Sequence, residues 1–141
     1  MIPGSSRPMG KKKPDRQLIG RMGEDAAISK YAEMGYTLVA RNLHMSHNEL
    51  DLVLRNETSL VFVEVKARHA VRGVRSGYGR PAAAVNKAKQ ARTVEAAKAY
   101  LRAHPTELCP RIDVAEVYLS RRADGSDTVT DVVIFRNAFG A

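Results

Sequence analysis

The sequence predicts an α/β domain, a mixed central β-sheet flanked by helices, with the elements in the order αβββαββ. Three observations predict it. Two stretches, near residues 17–34 and 81–103, repeat apolar side chains at helical spacing. Five shorter runs are rich in Val, Leu and Ile and bounded by turn residues, as strands are. At 141 residues, 44% of them hydrophobic, the chain is long enough for a single core.

Residues 1–16 mix Pro, Gly and Ser with Lys11-Lys12-Lys13 and read as a disordered basic tail, leaving 17–141 as the domain. The first helix, Gln17 to Met34, stops at Gly35, which suits the left-handed position after a helix end. One side of its wheel collects Gly20, Gly23, Glu24, Ala27, Ile28, Tyr31 and Met34. Glu24 is the only charge on that side, and the two glycines imply close packing on the sheet. An inward carboxylate needs a partner, for which Arg111 is one candidate. Tyr36 to Asn42 reads as the first strand and His44 to Asn48 as its connection to the second. His44 and His47 have no Cys and no third ligand nearby, so a solvated loop fits better than zinc.

The centre of the chain is a hairpin, Glu49 to Leu54 and Leu60 to Lys66, around the polar turn Arg55 to Ser59. Alternation along each strand puts Leu50, Leu52 and Leu54 with Val61, Val63 and Val65 on one face. The opposite face then carries Glu49, Asp51, Phe62, Glu64 and Lys66. Two carboxylates on otherwise apolar strands are costly to bury unless neutralised. A solvated charge cluster is one answer. A hard divalent cation held by Asp51 and Glu64, with Lys66 beside it, is the other, because Mg²⁺ favours few carboxylates plus water and phosphate.

Ala67 to Pro81 follows as a long loop, and the second helix is expected from Pro81 to about Ala103. Its packing stripe contains Ala83, Lys87, Gln90, Val94, Ala97 and Leu101, so Lys87 and Gln90 interrupt an apolar side. That suits a helix whose first turns pass over a site, or long side chains that snorkel outward. The fourth strand is Arg111 to Leu119, with Asp113 expected to be structural. Arg121 to Asp127 is a turn and Thr128 to Arg136 the last strand.

The net charge is +8, and its distribution matters more than its size. Lys66, Arg68, Arg72, Arg75, Arg80, Lys87, Lys89 and Arg92 follow one another with no acidic residue between them. A one-signed stretch beside a carboxylate pair is the footprint of a phosphate-bearing partner, since solubilising faces mix signs. Nucleic acid, DNA before RNA, is the expected partner, and a homodimer is left open. The single cysteine, Cys109, reads as a half-buried small hydrophobe and fits a reducing cytoplasm. No apolar run approaches the ~20 residues of a membrane span, and the N-terminus lacks the apolar core of a secretory signal.

Asp51 followed after a hairpin by Glu64-Val65-Lys66 resembles the PD-(D/E)xK nuclease core. The wider frame resembles the YraN family of small bacterial proteins, which is similar to archaeal Holliday-junction resolvases. It is carried by Gly20 to Glu24, Asn48 to Leu52, Phe62 to Lys66, Lys89-Gln90, Arg111 to Val114 and Asn137-Ala138-Phe139. Leu50 stands where the nuclease pattern has proline. The resemblance implies a restriction-endonuclease-like fold and a metal-dependent endonuclease acting on branched or structured DNA. Asp51 and Glu64 would then hold Mg²⁺ or Mn²⁺, with the Val65 carbonyl and Glu24 as further ligands. Lys66 and Gln90 would complete the catalytic set, and Arg68, Arg72, Arg75, Arg80, Lys87 and Lys89 would bind the nucleic acid. The alternative is a nucleic-acid-binding protein of the same fold without catalysis.

Overall fold

The structure is a computed structural model and describes residues 16–70 and 86–140. Helix α1 (Arg16–Glu33) ends as the glycine predicts. Gly35 takes φ +91°, the Tyr36 N–H reaches the Tyr31 carbonyl at 3.0 Å, and the Gly35 N–H reaches Ala32 at 3.1 Å. These bonds satisfy carbonyls that a helix end leaves open. Strands β1 (Thr37–Met45), β2 (Asn48–Arg55) and β3 (Ser59–His69) form an antiparallel meander. Helix α2 (Lys87–Ala103) crosses to β4 (Cys109–Arg121), which runs parallel to β3, and β5 (Asp127–Phe135) returns antiparallel. A parallel pair requires such a crossover. Spatial order in the sheet equals chain order, with β1 and β5 at its edges, and the mixed αβββαββ architecture is the expected one.

The two faces of the sheet bury two apolar layers. Ala27 and Tyr31 of α1 pack with Leu52, Leu54, Val61, Val63 and Ala115. Ala96, Ala97 and Tyr100 of α2 pack with Leu50, Val53, Leu60, Phe62 and Ile112. Leu50 is therefore not on the face of Leu52 and Leu54, as strict alternation expects. The reason lies on the neighbouring strand, where Asn42 adopts φ +50° opposite this point. Arg41 and Asn42 both reach Glu24 on α1, whereas Leu43 packs with the α2 layer. A left-handed residue in a strand breaks the two-residue period, and the paired strand turns over with it.

Other boundaries move for local reasons. β1 continues to Met45, so His44 lies in the strand opposite Glu49, and only the turn after it, with Ser46 at φ +58°, is irregular. β3 continues past Lys66 because its parallel ladder with β4 runs on through Ala67↔Val117, Arg68↔Tyr118 and His69↔Leu119. α2 begins later than Pro81, which is itself outside the described residues. Its N-cap is Asn86, whose side chain accepts the Lys89 N–H at 2.8 Å. Ala83, expected on the α2 stripe, is likewise outside the description, as are residues 1–15 of the tail. Met34 and Cys109 are exposed, the first because α1 ends at Glu33, one residue before it. Among the described residues no helix is long and apolar enough to cross a membrane.

Candidate active site

The β2–β3 pairing ends at Leu52↔Val63, and the next residue of β2 towards the opening is Asp51. There its carboxylate takes over: Asp51 Oδ2 accepts the Val65 N–H at 2.9 Å. The two strands thus separate around a side chain rather than a main-chain bond. Glu64, only 6% exposed, sits beside this fork. Its Oε1 lies 3.4 Å from Lys89 Nζ on the first turn of α2, while Oε2 is buried with no hydrogen-bond partner among the described residues. Burial raises the Glu64 carboxyl above its usual range, the Asp51 charge raises it further, and Lys89 opposes both. Burial also raises Asp51, against the Val65 N–H and Lys89, which favour its charged form. A buried, orphaned carboxylate oxygen beside a second carboxylate is a site short of positive charge.

An open cleft of about 630 Å³ leads to this pair, walled by Arg16, Gly20 and Glu24 of α1 and by Val65, Lys66 and His69 of β3. Lys66 is exposed, and its ammonium enters no ion pair among the described residues. Gly23 lets α1 approach, since a Cβ there would lie 3.0 Å from that of Ala67 and 3.3 Å from Val65 Cγ1. Gly20 has no neighbour within 4 Å of such an atom, so close packing explains only one of the two glycines.

Glu24 lines the cleft but is not paired with Arg111. Its Oε1 receives Arg41 Nε at 3.0 Å and Asn42 Nδ2 at 3.1 Å. Among the described residues no three His, Cys, Asp or Glu side chains are grouped closely enough to cage an ion. Asp51 and Glu64 are the two carboxylates at the fork, and Glu24 lines the same cleft. On α2 it is Lys89 that reaches Glu64. The inward side of the helix is Thr93, Ala96, Ala97 and Tyr100, so the stripe is rotated from the expected one. Gln90 and Lys87 line a different cleft with Val94 and Lys98. Arg68 lies on β3, its guanidinium 3.9 Å from the buried Glu116. Arg72, Arg75 and Arg80 are outside the described residues.

Two sequence motifs resolve as structural. Asp113 is fully buried and accepts Tyr31 Oη at 2.6 Å, Arg111 Nε at 2.9 Å and the Asn137 N–H at 2.9 Å. Arg111 also donates to Tyr36 Oη at 2.9 Å. Asn137-Ala138-Phe139 ties the end of the chain back to β4: the Ala138 N–H bonds the Ile112 carbonyl, and Phe139 covers the α2-side core. The cleft residues that sequence reasoning missed are Arg16, assigned to the tail but the first residue of α1, and His69, concealed inside what reads as a loop.

Residues 23–117 match the profile described as "Uncharacterised protein family UPF0102". The chain belongs to UPF0102. This is the YraN family of the sequence motifs. The UPF0102 match includes Glu24, Asp51, Glu64, Lys66 and Lys89, and ends at Val117 within β4. A UPF0102 protein of Clavibacter michiganensis is 41% identical over 74% of this chain and 86% of its own. One of Symbiobacterium thermophilum is 40% identical, covering 87% and 97%, and one of Chloroherpeton thalassium is 32% identical, covering 86% and 92%. Among solved structures, Pyrococcus furiosus SfsA in complex with Ca²⁺ is similar at TM-score 0.45 and 14% identity, over 84% of this chain and 64% of that one.

Proposed function

We propose that this UPF0102 protein is a divalent-metal-dependent nuclease of structured or branched DNA, working in the cytoplasm. The observation that carries the reading is the fork at Asp51: two adjacent carboxylates, Asp51 half-buried and Glu64 buried with an unpartnered oxygen, in a cleft that also holds Lys66 and Arg16. Asp51 and Glu64 would hold Mg²⁺ or Mn²⁺, with the Val65 carbonyl as a further oxygen. When bound, such an ion supplies a water of lowered pKa and polarises the scissile phosphate. Lys66, unpaired among the described residues, would donate to a water at the site and balance charge on the phosphate. Glu24, its Oε1 held by Arg41 and Asn42, lines the same cleft and would be a further ligand. Lys89 and Arg68 would meet the DNA backbone, and Lys87, Arg72, Arg75 and Arg80 would add further phosphate contacts.

The test is incubation with branched, single-stranded and duplex DNA in Mn²⁺, with Asp51→Ala as control. Cleavage of at least one substrate by the native chain only is the expected result. Equal background from both proteins removes the enzyme and leaves the alternative, a metal-indifferent nucleic-acid binder, which the same basic residues support.

A further inference from the structure

A second polar pair reaches the same cleft through one of its members. His69, the last residue of β3, lines the cleft, and Asp127, the first residue of β5, lies 2.8 Å from its Nε2. The Asp127 side chain is 9% exposed, and Arg121 Nε stands 3.5 Å from the same oxygen. Asp127 keeps its charge, because the His69 hydrogen bond holds its carboxyl below the usual range and Arg121 adds to this. A carboxylate accepts only, so Nε2 carries the proton in this bond. In the neutral ring Nδ1 then has a lone pair and cannot donate. In the imidazolium, Nδ1–H is a second donor, with its positive charge balanced from behind by Asp127.

We propose that His69, oriented by Asp127, is a phosphate-binding residue of the cleft, donating Nδ1–H to the nucleic-acid backbone at a phosphate distinct from the one at Asp51 and Glu64. Five residues of strand separate Glu64 from His69, roughly 16 Å. That is too far to share one phosphate with the carboxylate pair, so His69 would meet a different phosphate of the backbone. Lys66 and Arg16 lie along the same cleft, so the three cations mark a track for a backbone. Binding a phosphate at His69 takes up one proton from solvent when the ring starts neutral. The charged groups around the ring are Asp127 on β5, Arg121 on β4, Arg16 and Glu24 on α1, and Asp51, Glu64 and Lys66 on the central strands.

The inference rests on the nucleic-acid reading above but not on cleavage, so it is tested by binding alone. Labelled duplex DNA is titrated in EDTA with the full chain, His69→Gln and Asp127→Asn, at about pH 8 and about pH 5.5 on either side of an ordinary histidine, over a range of salt. Thermal melts check that each variant is folded. Acidification should tighten native binding more than that of His69→Gln, by up to about tenfold per pH unit for one added proton. At acid pH the native salt slope should be steeper by about 0.9, one phosphate contact, and at pH 8 the two slopes should agree. Protonation of Asp51 and Glu64 affects both proteins and cancels in the comparison. Asp127→Asn, which takes the anion from behind the ring, should show less of this acid tightening than the native chain, a pH-dependent difference that loss of a merely structural bond would not produce. If His69→Gln, or Asp127→Asn where His69→Gln fails to fold, follows the native pH and salt dependence, the inference is overturned while the nucleic-acid reading stands. If the native chain binds no DNA at either pH, both fall.

Discussion

Glu64 is the residue on which the account turns. Its folded-state carboxyl is pushed up to about 7, by burial first and by the Asp51 charge second. A carboxyl raised on folding holds its proton longer in the native state than in the unfolded one. The metal-free protein therefore loses stability as pH rises from the ordinary value of 4.5 through about 7, and stays low above that. The loss should be about 3 kcal/mol at most. Thermal melts in EDTA between about pH 5 and pH 8 should show this decline in the native protein and a flatter, higher curve in Glu64→Gln. A native curve that rises with pH would mean that Lys89 fully compensates the carboxylate. The residue pair was partly legible: charge on apolar strands singled out Asp51, Glu64 and Lys66. The Lys89–Glu64 contact was not foreseen: the basic run and the family motif singled out Lys89 as a nucleic-acid contact, and residues so far apart in sequence give no local sign of an ion pair.

Elements were legible where local chemistry dictates them. Gly35 ends α1, and Asn56 builds the β2–β3 turn by accepting the Thr58 and Ser59 N–H groups at 2.9 and 2.8 Å. Periodicity could not foresee Asn42, whose left-handed backbone sends Leu50 to the α2 side, nor the β4 ladder that extends β3 to His69. The two helix glycines give a paired prediction at this scale. Gly23→Ala should destabilise by about 1–3 kcal/mol, because the sheet beneath it must shift. Gly20→Ala, with open space around it, should stabilise by about 0.5–1 kcal/mol through helix propensity alone. Denaturant midpoints decide it, and equal responses would refute the close approach of α1 to Val65 and Ala67. Tyr31→Phe tests the tie between α1 and β4 in the same assay. Removing the Tyr31 hydroxyl leaves Asp113 with one acceptor site unfilled, a loss of about 1–3 kcal/mol.

For the whole molecule, the basic excess and the carboxylate pair make separable claims. On the proposed function, charge alone would govern DNA affinity in EDTA. Replacing Arg68, Arg72, Arg75 and Arg80 together by Ala should flatten the slope of log K against log salt, by up to roughly 0.9 for each lost duplex contact. An unchanged slope would show that these arginines do not touch the backbone. Catalysis requires the carboxylates as well, and here the roles of neighbouring residues on one strand diverge. Lys66 has the sign of the cation and cannot ligate it as an ammonium, whereas Glu64 offers an open oxygen.

The most direct measurement is therefore Mn²⁺ calorimetry on the native chain, Glu64→Gln and Lys66→Ala, with DNA cleavage followed on the same preparations. Glu64→Gln should lose both ion binding and cleavage. Lys66→Ala should bind Mn²⁺ as well as the native chain or somewhat better, while cleaving about 10²-fold more slowly, the scale of one lost transition-state contact. Abolition of Mn²⁺ binding by Lys66→Ala as completely as by Glu64→Gln, or no binding by the native chain, would contradict a metal site at the Asp51 fork.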